Sequence, residues 1–275
     1  MKHRMLRPVI KGLSTKEEVL ADRDRILREM EDEDKKRKRK GEGKGEEAEK
    51  EKGNEPKTET RIETLGDYWR IEGVNYRGKI GNYDLSKQFL KGTQDQLIAH
   101  TLNARQNNDF GIESIAFHQS LFTTLYNGRN NPQTEEIRKF IDDEMKPRWL
   151  LTSTRIRYNP KGKDLVIHNY NMPDKEEIPI NFVGGDEWVK DSKTPIIYQS
   201  LLGTSDLKQI NEVYQWLNKV PAYLWRLNSK PENVVESVAG LDANSNGVIL
   251  SCDGGAGSAS ASLGVRRARE NLGMI

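Results

Sequence analysis

The chain has 275 residues, which is enough for one large or two small domains with a hydrophobic core. Lys and Arg total 44 against 42 Asp and Glu, and a net charge of +2 does not by itself indicate a nucleic-acid partner. Hydrophobic residues make up only 35% of the chain, which predicts that part of it is disordered.

Cysteine usage and hydropathy narrow the class of protein further. Cys252 is the only cysteine, which excludes intrachain disulfides and a zinc site built from several cysteines. No segment approaches the roughly 18 apolar residues of a membrane span, and the first residues lack the apolar core of a secretory signal. We therefore expect no signal peptide and no transmembrane segment, and a location in the cytoplasm or in a virion.

The first predicted element is an amphipathic helix within residues 1–33. Ser14 and Glu17 have the spacing of a capping box, and apolar residues from Leu13 to Met30 form one stripe. A short helix with an apolar stripe needs a partner. Two alternatives stay open: it docks on the main domain, or residues 13–30 pair with a second copy to form a homo-oligomer.

Residues 34–60 contain almost nothing that could build a core. Their dense mixed charge, with Gly and Pro, predicts a disordered charged linker. The basic run 35–40 could contact phosphates, but the acidic run that follows would screen it, so we do not expect a nucleic-acid partner.

Residues 61–275 are predicted to form an α+β domain, because helical patterns precede a series of strand patterns without a β-α-β rhythm. The predicted helices are 84–103, 112–126, 133–145 and 205–218. The predicted strands are 68–72, 74–77, 150–158, 164–170, 178–183 and 223–227.

The sequence shows no persuasive catalytic constellation, so we expect a protein that is not an enzyme and uses no cofactor. The four histidines lack metal-ligand spacing, and His100 and His118 are interpreted as structural histidines with satisfied hydrogen bonds. Cys252 has no sequence neighbour that would lower its pKa. Gly184 to Trp188 are interpreted as a Gly-Gly turn before an amphipathic segment. A catalytic role is not needed to explain this stretch.

One motif supports a second class of function. The stretch from Asp242 to Asp253 has oxygen-bearing side chains at its first, third and fifth positions and Gly at the sixth, as in an EF-hand loop. It departs from that loop at the twelfth position, where Asp253 replaces a longer Glu, and in the Gly-rich run that follows. A calcium-binding regulatory protein therefore remains the alternative function, although we expect no metal ligands here.

Residues 238–264, VAGLDANSNGVILSCDGGAGSASASLG, differ from the rest of the chain in composition. They contain two charged residues, Asp242 and Asp253, in a chain that is 31% charged. From 237 to 263 there is no Lys, Glu, Gln, Met or Trp, the five residues that codons ending in C or T cannot encode. Random mutation of adenines in AAC or AAT codons would produce such a run.

This window resembles the variable region of target proteins of diversity-generating retroelements, in which adenines near the 3′ end of the gene are mutated. Trp225 to Ser229 resemble the strand that enters the variable region, and Leu263 to Arg266 resemble the strand that closes it. The resemblance covers about the last fifty residues. It implies a C-type-lectin fold of the formylglycine-generating-enzyme type.

The resemblance also implies a receptor-type protein that binds an unidentified protein or surface ligand through a variable region near 234–262. Val248, Leu250, Leu263 and Val265 would then hold the core. The residues expected to line the recognition surface are Val238, Gly240, Asp242, Asn244, Ser251, Cys252, Asp253, Ser258 and Ser260. A Gly/Ala/Ser-rich loop that has simply drifted is the competing interpretation.

Overall fold

The computed structural model describes residues 60–268. The predicted N-terminal helix and nearly all of the charged linker lie outside the described residues. The described part is a mixed α+β structure with one 11-stranded sheet and α-helices packed against it, which confirms the predicted α+β class. No helix within residues 60–268 is long and apolar enough to cross a membrane.

The strands are β1 (Ile62–Leu65), β2 (Tyr68–Tyr76), β3 (Lys79–Gly92), β4 (Leu150–Tyr158), β5 (Asp164–His168), β6 (Glu176–Ile180), β7 (Glu187–Trp188), β8 (Ala222–Trp225), β9 (Val235–Ala243), β10 (Val248–Gly254) and β11 (Ser260–Arg267). The helices are α1 (Gln94–Asn107), α2 (Ile115–Asn127), α3 (Pro132–Met145), α4 (Pro195–Leu202) and α5 (Leu207–Asn218), with a 3-10 turn at Val189–Asp191.

The sheet order is β1-β2-β3-β11-β4-β9-β10-β8-β7, with β5 and β6 branching from β4. The last strand, β11, runs antiparallel to β3 and pairs in parallel with the start of β4. Beyond β4, β9 and β10 form an antiparallel hairpin, and β10 is parallel to β8. The C-terminal window therefore lies in the middle of the sheet.

Two hydrophobic clusters cover opposite faces of this sheet. The larger cluster packs α2, α3, α4 and α5 against one face, where Ala239 and Leu241 of β9 point. The smaller cluster packs Leu97 and Ile98 of α1 against Val238 on the other face. Neighbouring residues of a strand point to opposite faces of the sheet, so alternate residues of β9 contact different clusters.

Local capping signals mark where the helices begin. Thr93 and Gln96 form a complete capping box before α1, and the side chain of Asn131 caps α3, which opens with Pro132. The helices predicted at 112–126, 133–145 and 205–218 correspond to α2, α3 and α5, as expected.

One predicted helix is wrong over its first half. Residues 84–92 form the end of β3, and the helix begins only after Thr93. Leu85 and Phe89 are four residues apart, a spacing that fits one helix face, but both pair with β11 in an extended strand. The strands predicted at 68–72 and 74–77 are one strand, β2, with a register irregularity around Gly73.

Candidate functional site

The composition window is built from strands rather than from a flexible tail. It contains β9, a turn at 244–247, β10, a loop at 255–259 and the first half of β11. Of the predicted entry strand, Trp225 to Ser229, only Trp225 lies in a strand, as the last residue of β8, which pairs with β10. The predicted closing strand, Leu263 to Arg266, lies within β11. Three strands of the central sheet therefore carry the unusual sequence.

Every second residue of β9 and β10 points into the larger cluster. On β10 these are Val248, Leu250 and Cys252, each fully buried, and on β9 Leu241 is also fully buried. The hydroxyl of Tyr158 donates a hydrogen bond to the Cys252 carbonyl at 2.7 Å and ties β10 to β4. Val248, Leu250, Leu263 and Val265 lie in the core as predicted.

The alternate residues of the same strands lie on the opposite face, where Asp242, Ile249 and Ser251 are partly exposed. Asp242 of β9 lies opposite Ile249 of β10, and Ser251 lies opposite Gly240, which is buried. A register shift follows Ser251, and hydrogen bonds from Ser251 and Trp225 place the Asp253 side chain on the same side. These positions form a shallow surface of small or polar side chains, with Ile249 as its one large aliphatic residue.

Three aromatic residues border this surface on one side. Tyr223 of β8 lies opposite Ile249, and Trp188 of β7 lies opposite Tyr223. The ring centroids of Trp188 and Tyr223 are 5.1 Å apart, and those of Tyr223 and Trp225 are 6.4 Å apart. Two short strands thus present a continuous row of three rings beside β10.

Asp253 connects this aromatic row to the small-residue surface. Trp225 Nε1 donates to Asp253 Oδ2 at 2.8 Å, and Ser251 Oγ donates to Asp253 Oδ1 at 3.0 Å. Burial raises the pKa of Asp253, while these two hydrogen bonds oppose the shift. The carboxyl group is therefore held in one place.

A fourth aromatic residue, Trp149, borders the surface on the other side. A Cβ added at Gly254 would lie 2.8 Å from the Trp149 ring, and one added at Gly240 would overlap that ring. These two glycines are therefore required by the tryptophan that covers them. We call the surface formed by Asp242, Ile249, Ser251 and Asp253, with Trp149, Trp188, Tyr223 and Trp225 around it, the framed patch.

The structure brings some of the predicted site residues together in or near the framed patch. Asp242, Ser251 and Asp253 belong to it, and Asn244 lies in the adjoining hairpin turn. Ser258 and Ser260 lie at the end of the β10–β11 loop and the start of β11.

Three predicted site residues do not line an open surface, which corrects the sequence expectation. Val238 is fully buried beneath α1, and Gly240 is buried under Trp149. Cys252 is fully buried in the larger cluster, and burial raises the pKa of its thiol well above the usual value. The register of the strands decides which positions face outward, and local sequence pattern does not reveal that register in this window.

The stretch that resembles an EF-hand loop is a β-hairpin. Asn244 Oδ1 accepts hydrogen bonds from the backbone N–H groups of Asn246 and Gly247, at 2.9 and 3.1 Å. Asp242 lies opposite Ile249, so Asp253 is four residues further along an extended strand. An EF-hand loop wraps its first and last ligands around one ion, and this geometry does not.

The two buried histidines within residues 60–268, His118 and His168, differ in their hydrogen bonding. His168 hydrogen-bonds Thr154 Oγ1 at 2.9 Å and the Ser200 carbonyl at 3.0 Å, and burial lowers its pKa to about 4. His118 is also buried with a pKa lowered to about 4, but neither ring nitrogen has a hydrogen-bond partner within residues 60–268. The expectation of satisfied hydrogen bonds is therefore wrong for His118.

No protein-family model matches the chain, and no curated protein or solved structure matches it. The chain's own residues therefore have to carry any functional inference. Of the residues around the framed patch, only Trp225 is assigned to the site by the sequence, as part of the entry strand. The sequence assigns no function to Trp188, at the end of the Gly-Gly turn, or to Tyr223, in the predicted strand 223–227. Contacts between segments far apart in sequence bring Trp149, Trp188 and Tyr223 to the site. The local sequence around each of these residues therefore does not indicate that it belongs there.

Proposed function

We propose that this protein is a receptor-type binding protein that recognises a protein ligand through the framed patch. The proposal includes a diversified variable region near 234–262 on a C-type-lectin-type domain. One observation carries it: residues from the restricted codon set occupy outward positions between aromatic residues that lie outside the window.

The aromatic residues around the framed patch and the small residues within it would have different roles in binding. Trp149, Trp188 and Trp225 are partly exposed, whereas Tyr223 is buried between its neighbours. Exposed Trp side chains supply large contact areas and often dominate binding energy. Small residues such as Asp242 and Ser251 can change without removing that area. The inward residues of the same strands stay constant in this scheme, because they form the core.

The entry strand is also built to hold the frame in place. Arg226 is buried, and its guanidinium donates to the carbonyls of Phe182 and Gly185 at 3.0 and 3.1 Å. Its backbone N–H donates to Asp186 Oδ1 at 2.9 Å. These bonds fix the segment that leads into Trp188, so Arg226, which directly follows β8, helps to hold that segment beside Trp225.

Deep sequencing of the 3′ end of the gene in a natural population tests the diversification. We expect substitutions templated at adenines in a nearby repeat, at outward positions such as Asp242, Ile249 and Ser251. Inward positions such as Leu241 and Leu250 should remain constant. A uniform sequence without a repeat, or equal variation at inward positions, would overturn the proposal.

A display library tests binding directly. Positions 242, 249, 251 and 253 would be randomised and selected against a panel of purified proteins. Selected binders should lose affinity at least roughly tenfold when Trp188 or Trp225 is replaced by Ala. Trp216→Ala, on α5 and packed against Tyr126, is the matched control and should leave affinity unchanged. Binders that tolerate loss of the frame would contradict the proposed role of the patch.

A further inference from the structure

An open cleft lies directly beside the framed patch. It has a volume of about 370 Å³, and its lining includes Lys91, Arg148, Trp149 and Ser260. It forms where β11 begins, because Ser260 pairs with Gly92 of β3 and Ala261 pairs with both Lys91 and Leu150. Small residues on β11 leave the space open between two longer neighbouring strands.

The charge at this cleft is positive. Lys91 is exposed, and the Arg148 side chain is 49% exposed. Arg148 Nη1 lies 3.4 Å from Glu144 Oε1, a buried oxygen with no hydrogen-bond partner within residues 60–268, so Arg148 is expected to stay beside Glu144. A guanidinium has five N–H donors, so Arg148 retains donors for a second carboxylate.

Trp149 joins the cleft to the framed patch. Its ring covers Gly240 and Gly254 and also forms part of the cleft wall. The backbone at Trp149 is anchored there, because Ser260 Oγ donates to the Trp149 carbonyl oxygen at 2.5 Å. A ligand that contacts the framed patch near Trp149 is therefore next to two cationic side chains.

We propose that this cleft binds the side-chain carboxylates of an acidic peptide segment, with Lys91 and Arg148 as the charged contacts and Trp149 as the flat wall. The inference rests on the proposed function only in assigning that segment to the protein ligand. Lys91, Arg148 and Trp149 lie outside the window 234–262. Ala259, Ser260 and Ala261 of the cleft lining lie inside that window. The two charged contacts and Trp149 are thus the constant part of the cleft, while the framed patch varies.

The test is an NMR titration of the full chain with an N-acetylated hexaglutamate peptide, and separately with inorganic phosphate at equal ionic strength. We expect the peptide to shift resonances around the cleft and to bind more weakly as salt rises. The double substitution Lys91→Glu and Arg148→Glu should weaken peptide binding at least tenfold. The matched control, Lys161→Glu with Lys163→Glu, changes the net charge equally in the exposed β4–β5 turn and should have no effect.

Three outcomes would overturn the assignment. They are absence of peptide binding, equal weakening by the control pair, and phosphate binding as tight as that of the peptide, which would make this a site for free anions. Ser251→Lys separates the two proposals, because it changes the framed patch and leaves the cleft intact. Peptide binding that survives Ser251→Lys, together with library binders that tolerate Trp188→Ala and Trp225→Ala, would retain the cleft and reject the recognition patch.

Discussion

The two faces of the β9–β10 hairpin come from one window of unusual composition and lie in opposite environments. The inward face is fully buried at Leu241, Leu250 and Cys252, whereas the outward face is partly exposed at Asp242 and Ser251. Side-chain size alone does not distinguish the two faces, because Ser251 and Cys252 are similar in size and only Cys252 is buried. Strand register does distinguish them, because a shift of one residue would exchange the two sets.

The outward face itself contains two kinds of position. Gly240 and Gly254 are small because Trp149 covers them, whereas Ser251 is small without such a constraint. Only the second kind can change freely. This distinction limits the variable surface to fewer residues than the composition alone indicates.

The largest expected effect is a difference in folding stability between substitutions at two adjacent residues, Ile249 and Leu250. Leu250→Ala should lower the free energy of unfolding by about 2–5 kcal/mol, because the leucine is fully buried and its loss leaves a cavity. Ile249→Ala, one residue earlier and partly exposed, should cost less than about 1.5 kcal/mol. Urea denaturation of both variants measures the difference. Similar losses for the two would mean that the faces are not distinct.

The sequence predicted the parts of this comparison that depend on local pattern. The apolar periodicity of the sequence predicted α2, α3 and α5, and the resemblance to a variable region implied that Val248 and Leu250 lie in the core. Register and long-range pairing are not encoded locally, which explains why Cys252 was placed on the surface and why 84–92 was read as a helix. The aromatic frame was missed for the same reason.

The next prediction uses thiol reactivity to test which face of β10 carries the side chains of residues 251 and 252. Native Cys252 should react with a thiol reagent more than about 100-fold slower than in urea, since it is buried and its thiol pKa is raised. In a Cys252→Ala background, Ser251→Cys moves the thiol by one residue to the outward face and should react rapidly. Absorbance assays with an aromatic disulfide give both rates. Equal rates would reject the assigned register.

A smaller effect tests the glycines under Trp149. Gly254→Ala should destabilise the protein by about 1–3 kcal/mol, because its Cβ would lie 2.8 Å from the indole. Gly257→Ala, where no atom lies within 4 Å, is the matched control and should be nearly neutral.

A Trp149→Ala background tests the cause of that loss. It should reduce the cost of Gly254→Ala only in part, because the Val238 carbonyl oxygen also lies 2.9 Å from the added Cβ. Thermal unfolding of the four variants completes the double-mutant cycle. An unchanged cost in the Trp149→Ala background would show that Trp149 does not constrain this glycine.

The smallest effect concerns Asp253, the one carboxyl group held between the aromatic row and the small-residue surface. Burial raises its pKa in the folded protein, so the protonated form is favoured by folding. That contribution is fully present below the unfolded pKa and is lost as pH rises through the folded pKa. Asp253→Asn removes the titration, and the amide can still accept a hydrogen bond from Trp225.

We therefore expect the stability of Asp253→Asn relative to the wild type to increase as pH rises from the acidic range towards neutrality. Urea denaturation at a series of pH values measures it, and Ser251→Ala, which removes one donor to the carboxylate, should enlarge the difference. The opposite slope would show that the hydrogen bonds from Trp225 and Ser251 outweigh burial. The framed patch would then carry a fixed negative charge beside the cationic cleft, and an acidic ligand would have to avoid Asp253 while reaching Lys91 and Arg148.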